Sequence, residues 1–408
     1  MMKHLFSRFI LLMALSLLSF SSVFSQLSVW DFGGYAKNLT TGTDGQIEWF
    51  PVQIGKWQNA TQLRLNLFMY PDQNITTSIQ TRSLIIYQDK YDLVRQFQGE
   101  FKTEGNYFFD LKHDWFEKEN AYGYSEIDRL YIDWIYKDWE VVLGRHRIAW
   151  GTCLVWNPTD LFNPFDILDF DYEERPGADA LQILYYTGPL SQFDIAVSPG
   201  RTRYDAVYAG RYVTNHWNYD FSFIAGWKLN GLRLGSSWAG EIYDGGFRGE
   251  VLYTNPNIKY TTINLNFATT GSLFRTEENK NPYWTFVLSY DYTFENSLFV
   301  HTEYLYNGLG TTGKAGFRQL DIIHTGELSP ARHSVFQEFA YQITPLLRGD
   351  FFIILNPDDK SWLAAPSLTY SVATNWDLYL LAFPSKGDPG TEYSGFPNQY
   401  FARVKFSF

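Results

Sequence analysis

From about residue 28 the chain repeats one unit: roughly ten residues of polar/apolar alternation, a tight polar turn, a second such run, then a longer polar loop. Thr261, Ile263, Leu265 and Phe267 alternate with Thr262, Asn264, Asn266 and Ala268. Phe286, Leu288, Tyr290 and Tyr292 alternate with Thr285, Ser289 and Asp291, and Leu298, Val300, Thr302 and Tyr304 oppose His301 and Glu303. Successive side chains of a strand point to opposite faces, so every run carries one apolar and one wet face. A chain built from such runs is all-β.

Composition decides what the apolar faces meet. Aromatic residues make up 19% of the 408 positions, with Tyr 29, Phe 34 and Trp 14, yet the mean hydropathy is −0.26. A soluble protein hides its aromatics in an apolar core, whereas a membrane barrel places them outside in two interfacial girdles around a polar interior. Beyond the N-terminus there is no apolar run of about 20 residues, the length a spanning helix needs. A closed antiparallel up-and-down barrel is then the structure that can span a bilayer, because it leaves no strand edge unpaired.

Residues 1–25 read as a secretory signal, with Lys3 and Arg8, the apolar run Phe9 to Leu18, and Val23 and Ser25 before Gln26. A single barrel domain would occupy 26–408. Loss of the signal removes two cations and takes the formal charge from −11 to about −13. That balance excludes a nucleic-acid partner, whose phosphates need a basic footprint. Cys153 is the single cysteine, so no intramolecular disulfide forms, and the thiol reads as a small packed side chain. No His or Cys cluster points to a metal, and no cofactor is implied.

The alternation places strands at 28–38, 58–70, 75–88, 126–136, 139–148, 179–187, 191–198, 219–229, 232–240, 246–254, 258–268, 284–294, 296–306, 334–343, 346–355, 361–373, 375–383 and 398–408. This makes about eighteen, with sixteen as the alternative, and an even number keeps both termini on one rim. Residues 107–114 are strand-like but fit a local hairpin in an outer loop. Asn230-Gly231 is the strongest hairpin signal, since a type I′ turn needs positive φ at both central residues. With Pro71-Asp72, Lys137-Asp138, Gly188-Pro189, Pro256-Asn257, Glu295-Asn296, Thr344-Pro345 and Thr374-Asn375, it is expected on the short-turn, periplasmic rim. The long connections, near 39–57, 89–125, 149–178, 199–218, 269–283, 307–333 and 384–397, are expected outside.

The last strand sets Tyr400, Ala402, Val404, Phe406 and Phe408 on one face and Arg403, Lys405 and Ser407 on the other. Ending on Phe after alternating apolar residues, it resembles the terminal strand by which bacterial outer-membrane barrels engage their assembly machinery. The stretch Gly144-Arg145-His146-Arg147, Trp150-Gly151, Asn157-Pro158-Thr159-Asp160 and Asn163-Pro164 is similar to a Gly-Arg-X…Trp-Gly…Asn-Pro-X-Asp segment of porin-like channel families of Gram-negative bacteria. The resemblance implies a multi-pass barrel in the cell outer membrane, a non-enzymatic porin passing small hydrophilic solutes by diffusion. It also implies an inward constriction loop at 149–178. Outer-membrane lipid is its surroundings, and a homotrimer is compatible with such a barrel.

Within that segment the sequence nominates pore-lining residues. Arg145 and Arg147 lie two apart on a strand and are expected to face the lumen with Arg64, Arg129, Arg233, Arg248 and Arg403, opposite the loop carboxylates Asp160, Asp166, Asp169, Asp171, Glu173 and Glu174, with Arg175 beside them. Opposed charges across a narrow, low-dielectric wall would set up a transverse field that favours hydrated solutes. Trp150 and Trp156 offer faces for sugar stacking, although aromatics that clamp a loop to a wall have the same signature, and the clamp is the preferred reading. A barrel that anchors or exports surface polysaccharide is the alternative. A phospholipase-type enzyme is less favoured, because the adjacent His333-Ser334 point to opposite faces and cannot act as base and nucleophile.

Overall fold

The computed structural model describes residues 29–44, 56–89, 107–162, 171, 173–201, 205–229, 231–256, 260–263, 276–279, 281–318 and 326–408. In chain order the strands are β1 (Trp30–Asp44), β2 (Trp57–Asp72), β3 (Ile75–Gln88), β4 (Lys112–Lys118), β5 (Ala121–Tyr136), β6 (Trp139–His146), β7 (Ala178–Gly188), β8 (Ser191–Ser198), β9 (Val207–His216), β10 (Tyr219–Lys228) and β11 (Gly231–Ile242). They continue with β12 (Gly245–Asn255), β13 (Tyr260–Ile263), β14 (Thr276–Asn279), β15 (Tyr283–Thr293), β16 (Leu298–Asn307), β17 (His333–Thr344), β18 (Leu347–Asn356), β19 (Ser361–Ala373), β20 (Trp376–Phe383), β21 (Ser385–Lys386) and β22 (Asn398–Ser407). Leaving out β4, β13, β14 and β21, each strand pairs antiparallel with the next, and β22 returns to β1, so eighteen strands close into a barrel.

Closure joins the two ends of the chain. Gly34 and Phe408 exchange both backbone hydrogen bonds, at 2.9 and 3.0 Å, and the register then runs Tyr35↔Ser407, Lys37↔Lys405 and Leu39↔Arg403. The terminal strand therefore puts Arg403 and Lys405 on the inner face, as its alternation predicts. Outward positions carry large apolar side chains at high exposure, among them Leu143, Ile195, Phe223 and Trp284. Inward positions are polar and deeply buried, including Glu250, Ser289, His301 and Glu303. This inversion lets a chain of modest hydropathy face lipid.

The count of eighteen stands, but two of its members change. Val207–His216 is a barrel strand, where the sequence reading put a loop over 199–218. Its alternation is masked because its inner face carries Arg211, paired with Asp194 on β8, and its outer face carries Gly210 between Tyr208 and Tyr212. The expected strand at 258–268 is absent from the barrel. Tyr260–Ile263 instead pairs with Thr276–Asn279 in a separate two-stranded sheet, and 264–268 lie outside the described residues. An outer hairpin alternates as regularly as a barrel strand, so periodicity alone could not separate them.

The exchange inverts the rim assignment between these two places. The β10–β11 hairpin, where Lys228 pairs with Gly231, lies on the rim of the long loops and not on the short-turn rim; Asn230 itself is outside the described residues. The short-turn rim instead carries Trp217-Asn218 and Tyr243-Asp244, each with φ between 51° and 61°, the values a type I′ turn requires. The connection after Pro256 is a long outer loop. The strand-like stretch near 107–114 does form a local hairpin, β4 pairing with the upper half of β5.

Candidate functional site

Loop 3 (147–177) leaves β6 and crosses the inner wall of the barrel. Its first half is apolar and buried among inward-facing side chains. Ile148, Trp150, Leu161 and Phe162 pack with Ala178 and Ala180 of β7, Ala196 of β8, Ile224 of β10 and Leu252 of β12. Farther along, Cys153, Val155 and Trp156 pack with Val287, Leu305, Phe336, Leu363 and Phe383, on strands β15 to β20. Trp150 and Trp156 are 1% and 5% exposed and sit edge-on to Phe162 and Phe336. Gly151 permits the tight return of the loop, since a Cβ there would lie 2.2 Å from Asn157 Oδ1.

A segment without regular structure brings backbone N–H groups that need acceptors once buried. Two wall carboxylates supply them, and a third accepts from a side chain of the loop. Glu250 of β12 accepts from the N–H groups of Thr152, Cys153 (2.9 Å) and Thr159 (3.0 Å) and from the Thr159 hydroxyl (2.6 Å). Glu303 of β16 accepts from the N–H groups of Leu154 (3.2 Å), Val155 (3.3 Å) and Trp156 (2.6 Å). Asp194 of β8 accepts from Trp150 Nε1 at 2.8 Å. These residues were missed in the sequence, where Glu250 and Glu303 look like ordinary polar positions of alternating strands. The signal was their inward register together with a loop whose first half is rich in apolar residues.

Glu303 is itself contacted by a histidine. His301 Nε2 lies 3.3 Å from Glu303 and 3.0 Å from the Ser289 hydroxyl, while Nδ1 lies 3.4 Å from Glu338. Serine, histidine and glutamate thus line up, which bears on the enzyme alternative. Ser289 and His301 have no exposed surface, and Glu303 competes for the same ring nitrogen. The geometry fits a clamp on the loop's anchor better than an activated nucleophile, which must reach its substrate.

The second half of loop 3 meets Arg64, Arg403 and Lys405, which the alternation places in the lumen, and Lys37, which it did not single out. Asp171 lies 2.9 Å from Lys37 Nζ and 3.4 Å from Arg403; Glu173 lies 2.9 Å from Arg403 and 2.6 Å from Lys405. Glu174 lies 3.5 Å from Arg64 and accepts from Tyr35 Oη at 3.1 Å. The opposing wall is therefore β22, β1 and β2. Burial resists ionisation of Glu173, but the Lys405 hydrogen bond and the Arg403 guanidinium more than offset it and hold its carboxyl below the usual range. Asp160 accepts instead from the Trp150 N–H at 3.5 Å, and burial, with Glu250 nearby, pushes its carboxyl up to about 7.

Arg145 corrects the expectation of a lumenal arginine pair. It shares the strand face of Leu143, which is 58% exposed, while His146 and Val142 face inward. Its guanidinium fills the seam where β5 leaves β6 for β4: Nε lies 2.8 Å from Asp179, and the other nitrogens donate to Ile127 O (2.9 Å) and Phe109 O (2.6 Å). Arg147 lies just beyond the end of β6 and is exposed. Arg175, at φ 55°, turns the chain toward β7, and its carbonyl and that of Glu174 accept from Arg129. Asp166 and Asp169 lie outside the described residues.

No protein-family model matches the sequence, and no curated protein is similar to it. Solved structures are similar in fold. The outer membrane protein opdK of Pseudomonas aeruginosa aligns with a TM-score of 0.55 at 10% identity, over 94% of this chain and 99% of that one. OccAB3 of Acinetobacter baumannii gives 0.53 at 10% identity, over 94% and 100%, and OccAB1 of the same organism gives 0.53 at 10%, over 93% and 96%. At such identity the likeness is one of architecture: an eighteen-strand, outer-membrane-type β-barrel.

Proposed function

We propose that the protein is an outer-membrane channel of the porin kind for passive diffusion of small hydrophilic solutes, with loop 3 narrowing the lumen and a charged wall setting selectivity. The observation that carries this reading is the mounting of loop 3. Its backbone is tied to inward carboxylates on β12 and β16, and its acidic end meets cations on β1, β2 and β22, so one segment crosses the interior between opposite walls. A barrel that served only as an anchor would have no need of fixed charges of both signs facing its interior. The fixed cations and carboxylates give the passage a transverse field, strongest at low ionic strength.

Flux separates this reading from an anchor or exporter of surface polysaccharide. Purified protein in liposomes should admit small sugars and amino acids on a swelling assay, at rates that fall with solute size. Liposomes that stay impermeable to every small solute would refute the channel. In planar bilayers, Arg403→Ala with Lys405→Ala should shift the reversal potential toward cations, more at 0.01 M salt, where the Debye length is about 30 Å, than at 1 M, where it is about 3 Å.

A further inference from the structure

At the outer end of the wall formed by β10, β11, β12 and β15 lies a cavity of about 30 Å³, between loop 3 and loop 7 (308–332). Its lining mixes both signs of charge: Asp160 from loop 3, Glu327 from loop 7, Lys228 at the end of β10 and Arg233 on β11, with Asn157 and Thr285 between them. Several of these groups converge without satisfying one another. Among the described residues the Lys228 ammonium makes no hydrogen bond or ion pair, and the Asp160 carboxylate accepts one long bond, 3.5 Å from the Trp150 N–H. Asn157 is 3% exposed, and its Nδ2 has no partner. Glu327 accepts from Tyr283 Oη and retains acceptor capacity.

The chemistry narrows the occupant. A carboxylate would meet Asp160 and Glu327, and an ammonium would meet Lys228 and Arg233. A hydroxyl both donates and accepts, so it suits a lining of donors and acceptors that carries no net preference for either ion. Size points the same way, because one water-sized group needs about 10–15 Å³ and the cavity takes one or two such groups rather than a whole solute. We propose that this cavity is a hydroxyl-binding subsite for neutral polyhydroxylated solutes, which seat one hydroxyl or hydroxymethyl group here while the rest of the molecule lies in the lumen. The inference rests on the channel reading above and supplies its substrate class.

The test uses the full chain in planar bilayers in KCl, with sorbitol, gluconate or triglyme added on one side. Triglyme is close to sorbitol in mass but has ether oxygens in place of hydroxyls. Sorbitol should reduce the ion current saturably, triglyme should not, and gluconate, which has a hydroxymethyl end as well as a carboxylate, should block no better than sorbitol. Lys228→Met and Asn157→Leu should each raise the half-saturating sorbitol concentration at least about tenfold, the effect of one lost hydrogen bond to a charged or buried donor. Thr285→Val serves as a milder third variant, and heat-modifiable migration in gels identifies the folded barrels. An absence of any conductance would remove the channel reading itself. Conductance with a sorbitol effect that never saturates, stronger block by gluconate, or unchanged half-saturation in the folded variants would overturn the subsite and leave the channel standing.

Discussion

Substituting Glu250 tests how loop 3 is held. In Glu250→Ala the N–H groups of Thr152, Cys153 and Thr159 lose their acceptor. At about 1–3 kcal/mol for each buried unpaired donor, the attached state is penalised by about 3–9 kcal/mol. Against this, Trp150, Val155, Trp156, Leu161 and Phe162 remain buried. At about 1.5–3 kcal/mol each they contribute roughly 7–15 kcal/mol to attachment. One substitution therefore raises the detached fraction without making it dominant. With Glu303→Ala added, six N–H groups are orphaned and the two sides become comparable. Cys153 reports the change without engineering: it is buried in the loop, and burial, with Glu250 next to it, pushes its thiol up. Its maleimide labelling rate, normalised to the denatured protein, should rise at least about 100-fold in Glu250→Ala, from the lower bound of about 3 kcal/mol. The double variant should label nearly as fast as the denatured chain, and its conductance should increase. Labelling within threefold of wild type in both folded variants would refute the carboxylate mounting.

Other outcomes follow from separate parts of the molecule. Burial pushes Glu392, which accepts from Asn356 Nδ2 in loop 9 (384–397), from 4.5 to about 7. Because its folded value is raised, docking of this loop is fully supported below about pH 4.5 and loses support as pH rises through 7. Hydrogen exchange over 384–397, corrected for intrinsic rates, should be faster at pH 8 than at pH 5, and Glu392→Gln should flatten the difference. A tag inserted between Leu229 and Gly231 should be labelled on intact cells, while one at Tyr243-Asp244 should need permeabilised cells; the reverse result would invert the barrel. Arg145→Ala breaks a buried pair with Asp179, a loss of about 3–5 kcal/mol. It should lower the temperature of the gel-mobility shift while leaving ion selectivity unchanged, and a selectivity change would return Arg145 to the lumen.

How much of this was legible depends on which forces act at each residue. Alternation reveals strands whose two faces meet different solvents, so β15, β16 and β22 were readable, and the inward placement of Arg403 and Lys405 with them. It fails at β9, where the outward face carries Gly210 and the inward face an arginine satisfied by Asp194. The missed strand reverses the direction of the strands after it until the extra one expected at 258–268 restores it, which is why the β10–β11 turn was recognised as a hairpin but put on the wrong rim. At the site, opposite charges on loop and wall could be expected from the acidic tract. The individual pairings could not, because Lys405 and Glu173 are 232 residues apart and meet only once the barrel closes. Arg145 misled because a two-residue spacing fixes a shared face without saying which face is inside.

The seam between Gly34 and Phe408 has a consequence for biogenesis. Its two hydrogen bonds and the register from Tyr35↔Ser407 to Asp44↔Asn398 join β1 to β22, so the ring cannot close until β22 has been made. Until then both terminal strands present unpaired N–H and C=O groups, the state most open to pairing with a foreign edge. A chain that lacked β22 would keep its other hairpins and still lack a lock. Termination before β22 should therefore give open sheets that aggregate or are degraded, not slightly smaller barrels.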